Sequence, residues 1–101
     1  TLDGGAGIDT LIGGPGTDIV IGDTGSDVFQ FDSPVFGVDQ IWDFAKGTDI
    51  INMAGSGVTA FGQLSIAANG GNSVISSAAT GTSAIWVIGV PGLTAGNFTF
   101  A

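Results

Sequence analysis

The sequence predicts an all-β fold: a parallel β-roll continued by a C-terminal antiparallel β cap. Three observations lead there. Residues 4–12 (GGAGIDTLI), 13–21 (GGPGTDIVI) and 22–30 (GDTGSDVFQ) are contiguous nonapeptides of the form G-G-x-G-x-D-x-U-x, with U a large apolar residue and Asp23 the one departure. A nine-residue period of this kind is the signature of a chain wound as a parallel β-helix. No stretch holds a helical period for more than a turn or two. Finally, all nine carboxylates lie between Asp3 and Asp49, and residues 50–101 carry no charged side chain. The chain therefore changes character near residue 52, and we expect a roll over 1–52 and an uncharged cap over 53–101.

The first six positions of each nonapeptide form a turn, in which glycine lets the backbone bend tightly and approach an ion. The carbonyls of such a turn point inward, and Asp at the sixth position adds a carboxylate. A ring of flexible oxygens is a hard-cation site and suits Ca²⁺ better than Mg²⁺. The last three positions form a short strand whose middle residue faces one side. Those residues are Leu2, Leu11, Val20 and Phe29, all apolar, so they are expected inside the coil.

One turn cannot complete a coordination sphere, but two stacked turns can. Two nonapeptides, 18 residues, make one coil, so turns n and n+2 stack on the same edge. This pairs Asp9 with Asp27. The half-motif G-x-D-x-U-x recurs at 37–42 (GVDQIW) and 47–52 (GTDIIN), after three extra residues (31–33) and one (Asp43). If these are worn turns, Asp18 pairs with Asp39 and Asp27 with Asp49, giving one to three sites. Asp32 and Asp43 are alternatives to Asp39 or Asp49, and a plain Asp turn also accounts for those two positions.

The outward strand positions Ile12, Ile19, Ile21 and Val28 are apolar, and Ile19 and Ile21 should share a face with Trp42. Such a patch marks a contact surface. We expect burial under the C-terminal half or a neighbouring module. Beyond Asn52, short alternating runs at 63–68, 73–77 and 83–90, with turn signals at 69–72 and 80–82, read as antiparallel hairpins, and 98–100 as a last strand. Short helical turns fit near Phe61 and over 93–97. An open roll end exposes strand edges and apolar core, so a terminal cap is needed. Trp42, Phe44, Phe61, Trp86, Phe98 and Phe100 are expected to form its core rather than a sugar-stacking surface.

Composition narrows function. The formal net charge is −8, with one Lys and no Arg. That disfavours nucleic acid or anionic membranes as partners, because phosphates are met by Lys and Arg. No apolar run approaches the ~20 residues of a membrane span. There is no Cys, hence no disulfide staple, and no signal peptide is visible. The chain lacks His, Cys, Tyr and Glu. This excludes Ser-His-Asp catalysis and the usual zinc ligands, and no enzyme activity is expected. Thr1, Leu2 and Asp3 sit where an earlier repeat would end, so the chain reads as a fragment of a longer array.

The nonapeptides resemble the RTX, or haemolysin-type calcium-binding, repeats. Residues 38–53 (VDQIWDFAKGTDIINM) resemble the D-x-I-x-D-F-x-x-G-x-D-x-I segment that follows such repeats. Residues 89–101 (GVPGLTAGNFTFA) resemble the terminal G-V-x-x-L-x-x-x-D-F-x-F segment, with Asn97 where Asp is frequent. The resemblance implies Ca²⁺ between turns, held by carbonyls and Asp. Carried over, the first site is Gly5, Gly7 and Asp9 with Gly22, Thr24 and Asp27. The second is Gly14, Gly16 and Asp18 with turn four, and the third is Asp23, Gly25 and Asp27 with turn five. It further implies a secreted or cell-surface module, exported by a type I secretion system and attached to an upstream domain. Two expectations compete. One is a calcium-triggered folding module; the other is a structural or adhesive module of a surface layer or matrix that self-associates. An accessory role beside a secreted polysaccharide-modifying enzyme, lipase or protease ranks behind both.

Overall fold

The computed structural model describes residues 2–14, 16–33, 37–45, 47–81 and 83–100. Thr1, Thr82 and Ala101, on which parts of the sequence reading fall, lie outside the described residues. Six short strands alternate between two sheets: β1 (Leu2–Asp3), β2 (Thr10–Leu11), β3 (Ile19–Ile21), β4 (Val28–Gln30), β5 (Val38–Ile41) and β6 (Ile50–Asn52). β1, β3 and β5 pair in parallel in one sheet, and β2, β4 and β6 in the other. The registers align Leu2 with Val20 and Ile41 on one side, and Leu11 with Phe29 and Ile51 on the other. These are the U positions of the repeat. All but the half-buried Leu2 are buried, and burial of each contributes about 1.5–3 kcal/mol.

The C-terminal half begins with the antiparallel β7 (Ser65–Asn69) and β8 (Asn72–Ser76), and β8 pairs antiparallel with β9 (Ala84–Val87). β9 also pairs in parallel with β5, and β10 (Phe98–Thr99) pairs in parallel with β6. The coil thus runs one turn beyond the repeats, with a hairpin inserted in it. The sheet orders are β1-β3-β5-β9-β8-β7 and β10-β6-β4-β2. One core spans both halves, from Leu11 and Val20 to Val87, Leu93 and Phe98. The 3-10 turns Phe61–Gln63 and Ala95–Asn97 occupy the expected helical spots.

Two expectations are corrected. Of the six aromatics assigned to the cap core, Phe44 and Phe98 are buried and Phe61 and Phe100 pack partly against the core. Ring pairs Phe29–Phe44 and Phe61–Phe98 lie 6.0 and 5.6 Å apart. The tryptophans do not join them: Trp42 is 51% exposed and Trp86 is half-buried. Ile41, Ile85 and Val87 hold the inward positions at 0% exposure, so alternation along the strands sends Gln40, Trp42 and Trp86 outward. Nor does the C-terminal half cover the apolar outer face. It extends the sheets edge to edge instead, leaving Ile12 and Val38 exposed and Ile19, Ile21 and Val28 half-buried.

Candidate metal centre

The strand registers stack the turns on two edges of the roll. On one edge lie the turns carrying Asp9, Asp27 and Asp49, and on the other those carrying Asp18 and Asp39. Each Asp is tied to the turn below it. Asp9 N–H donates to Asp27 Oδ1 at 3.1 Å, Asp18 N–H to Asp39 Oδ1 at 2.9 Å, and Asp27 N–H to Asp49 Oδ1 at 2.9 Å. The next peptide closes each rung from the other side. Val28 N–H donates to the Asp9 carbonyl, Gln40 N–H to that of Asp18 and Ile50 N–H to that of Asp27. The partners are 18, 21 and 22 residues apart, so the worn turns absorb their extra residues without losing the rung.

The second carboxylate oxygen is the informative one. Oδ2 of Asp9, Asp18, Asp27 and Asp39 is buried without a hydrogen-bond partner. Asp27, Asp39 and Asp49 are each 1% exposed. Leaving such oxygens unpaired costs several kcal/mol per ionised group, on the order of a broken buried ion pair. The strain shows in the proton affinities. Burial pushes the Asp39 carboxyl up to about 6, against the Asp18 amide that holds it down. Burial also raises Asp27, opposed by the Asp9 amide and reinforced by the carboxylates of Asp49, Asp9 and Asp43. Asp49 differs, because its Oδ2 accepts from Ala45 N–H at 2.8 Å within its own turn.

Glycine permits this stacking at specific points. A Cβ at Gly22 would run into Asp27 Oδ2, so each Asp folds back over the first glycine of its own turn. The same contact is 2.8 Å at Gly4 with Asp9 and 3.0 Å at Gly13 with Asp18. A Cβ at Gly25 would strike the Gly7 carbonyl oxygen, and one at Gly37 the Gly16 carbonyl oxygen. The carbonyls of Gly7 and Gly16 therefore face the turn stacked above. The donor set is oxygen only, carboxylate and carbonyl, which fits Ca²⁺. Among the described residues no group of three acidic side chains is placed to hold a metal, so backbone carbonyls must complete each sphere.

The structure brings together Gly7, Asp9, Gly25 and Asp27, and separately Gly16, Asp18 and Asp39. Gly5 and Gly14 lie in the matching turns at φ 76° and 77°. Thr24 is exposed on its turn, and Gly22 is buried beneath Asp27. Asp23 stands at φ 61°, the left-handed region. Its carboxyl is raised first by a hydrogen bond with Asp3, then by slight desolvation and by the charges of Asp3 and Asp43. Asp39 and Asp49 occupy the rungs, not Asp32 or Asp43. Asp43 instead accepts from the N–H groups of Gly22 and Asp23, bracing the mouth of turn three. Gly37 and this bracing role of Asp43 were missing from the sequence-based site. The 21-residue offset between Gly22 and Asp43, equal to that between Asp18 and Asp39, was the available signal.

Fold and site together define a calcium-type parallel β-roll. Residues 1–29 match the family model of the RTX calcium-binding nonapeptide repeat, in four copies, so that segment is similar to an RTX-type calcium-binding array. No curated protein matches the chain. Among the described residues no helix is long and apolar enough to cross a membrane.

Proposed function

We propose that this chain is a calcium-triggered folding module of a secreted RTX-type protein, without catalysis of its own. The observation that carries the reading is the ladder of buried aspartates whose Oδ2 oxygens have no partner. Nine carboxylates repel one another, and a glycine-rich chain loses much entropy on ordering. Without a cation the repeat half has reason to stay open. Calcium, when bound, supplies two positive charges to each rung. Asp9 with Asp27, Asp18 with Asp39 and Asp27 with Asp49 would hold it, with carbonyls such as those of Gly7 and Gly16. Binding and folding are then one equilibrium.

Extracellular calcium modules are commonly tuned to ~10⁻⁴–10⁻³ M. The chain would stay unfolded in a low-calcium cytosol, pass a type I secretion channel, and fold outside, where it stabilises the protein that carries it. Circular dichroism in EGTA and in millimolar calcium tests this. We expect β-structure to be lost across the whole chain in EGTA, because β9 and β10 depend on β5 and β6. Equal β-content in both conditions would overturn the reading. The exposed outer face with Val38 and Trp42 supports a second reading, a calcium-dependent structural or adhesive module. Calcium-dependent oligomers in sedimentation would favour it.

A further inference from the structure

The outer face of the six-stranded sheet differs from the rest of the surface. One straight row crosses four strands: Ile19 lies beside Gln40, Gln40 beside Trp86, and Trp86 beside Val74. Trp42 stands two residues beyond Gln40 on the same side, diagonal to Trp86. Its indole is oriented, because Nε1–H donates to Gln40 Oε1 at 2.8 Å. The amide thus uses its oxygen to orient the ring and keeps its N–H donors for a ligand. A large aromatic held half in water by a polar neighbour contributes nothing obvious to the core.

We propose that this face binds a neutral polysaccharide, with pyranose rings stacked on Trp42 and Trp86 and Gln40 donating to a sugar oxygen. The axial C–H bonds of a pyranose carry slight positive charge and match the negative face of an indole. A ring already oriented loses less freedom on binding. Charge selects the class of glycan. The row itself has no charged residue, and so no cation to pair with an anionic sugar. The row alone is too small to hold a second protein copy. Four strands ~4.8 Å apart and three residues of ~3.3 Å rise give a strip about 20 Å by 10 Å. A stable protein pair needs roughly 800 Å² per partner. The strip suits an extended sugar chain lying across the strands.

Trp42 and Trp86 are the chain's two tryptophans, so intrinsic fluorescence reads this face directly. The full chain in saturating calcium, its fold checked by circular dichroism, is titrated with cellohexaose, laminarihexaose and polygalacturonate. We expect a saturable blue shift with a neutral hexasaccharide and none with the polyuronate. Trp42→Ala should weaken binding at least ~10-fold, as truncated aromatic anchors do. Trp42 is half in solvent, so this variant keeps the fold even if Trp86→Ala does not. Unchanged fluorescence with both neutral probes in the folded protein would overturn the proposal. So would equal affinity in Trp42→Ala, or a calcium-loaded dimer that shields both indoles. Loss of fold in calcium would instead count against the folding-module reading.

Discussion

The two halves of the molecule share both sheets but are held by different forces. In residues 2–52 the strands are two to four residues long, and the turns between them are made of glycine and aspartate. Their buried polar atoms include four carboxylate oxygens with no partner among the described residues. In residues 53–100 the buried polar groups are neutral and paired. Ser73 Oγ–H donates to the Val90 carbonyl at 2.6 Å, Ser77 Oγ–H to that of Gln63 at 2.9 Å, and Ser56 Oγ–H to that of Met53 at 2.6 Å. The first half leaves buried carboxylate oxygens unpaired, and on the proposed reading a cation completes it. The second is complete by itself but rests on strands that the first supplies. On the proposed reading, an uncharged, self-satisfied cap does not make the chain independent of metal, because its sheets are shared.

After chelation, the largest effect should come from the shared rung. Asp27 serves two rungs and Asp9 one. Asp27→Ala should therefore raise the calcium midpoint of folding by ~10-fold or more, and Asp9→Ala by clearly less, since one lost charged ligand costs on the order of 1.5–3 kcal/mol. Equal midpoints would break the shared-turn picture. Next comes stacking. Gly25 and Gly57 have similar φ, 101° and 92°, but only a Cβ at Gly25 strikes another turn. Both alanine variants carry roughly 1–3 kcal/mol of backbone strain, and Gly25→Ala should exceed Gly57→Ala by the clash with Gly7. Urea melts in calcium measure the difference.

Acid should partly replace the metal in the repeat half. The folded, metal-free Asp39 titrates at about 6 against an ordinary 3.8, and Asp27 is raised as well. The folded form then binds more protons than the unfolded one between these values. Its stability is greatest below about 3.8 and falls as pH rises through 6. Metal-free protein should gain β-structure on titration from pH 7 to pH 4, as followed by circular dichroism. No gain would mean that repulsion is not what keeps the turns open. The smallest effect belongs to the cap. Ser77→Ala removes bonds to Gln63 and Ala79 and should cost about 1 kcal/mol in thermal melts. Its effect should be the same whatever the calcium concentration above saturation.

Much of the roll was legible because its information is local and periodic. The position of U in the nonapeptide places Leu11, Val20 and Phe29 inside, and the period places Asp27 above Asp9. The worn turns were legible through a half-motif that keeps Gly, Asp and the apolar residue in step. What lay beyond reach was non-local. Nothing in the sequence near Phe98 says that it pairs with Ile51, 47 positions earlier, or that β9, besides pairing with β8, joins β5. Those pairings follow from shape at the end of a coil. The tryptophans were misplaced for a related reason. Size and apolarity suggest burial, but Ile41 and Ile85 already fill the inward sites on either side of that seam.

The rungs have a direction. Asp27, Asp39 and Asp49 each reach toward the turn that precedes them, and Asp49 also closes on Ala45 in its own turn. The edge of Asp9, Asp27 and Asp49 is therefore closed at Asp49, while the other edge ends at Asp39 with its Oδ2 unpaired. A nonapeptide pair added at the Thr1 side would meet the same surface that Asp9 and Asp18 now present, while everything from Asp49 onward would stay unchanged. Length in such an architecture is a free variable: evolution, or an engineer, can insert coils in steps of 18 residues without redesigning the terminus.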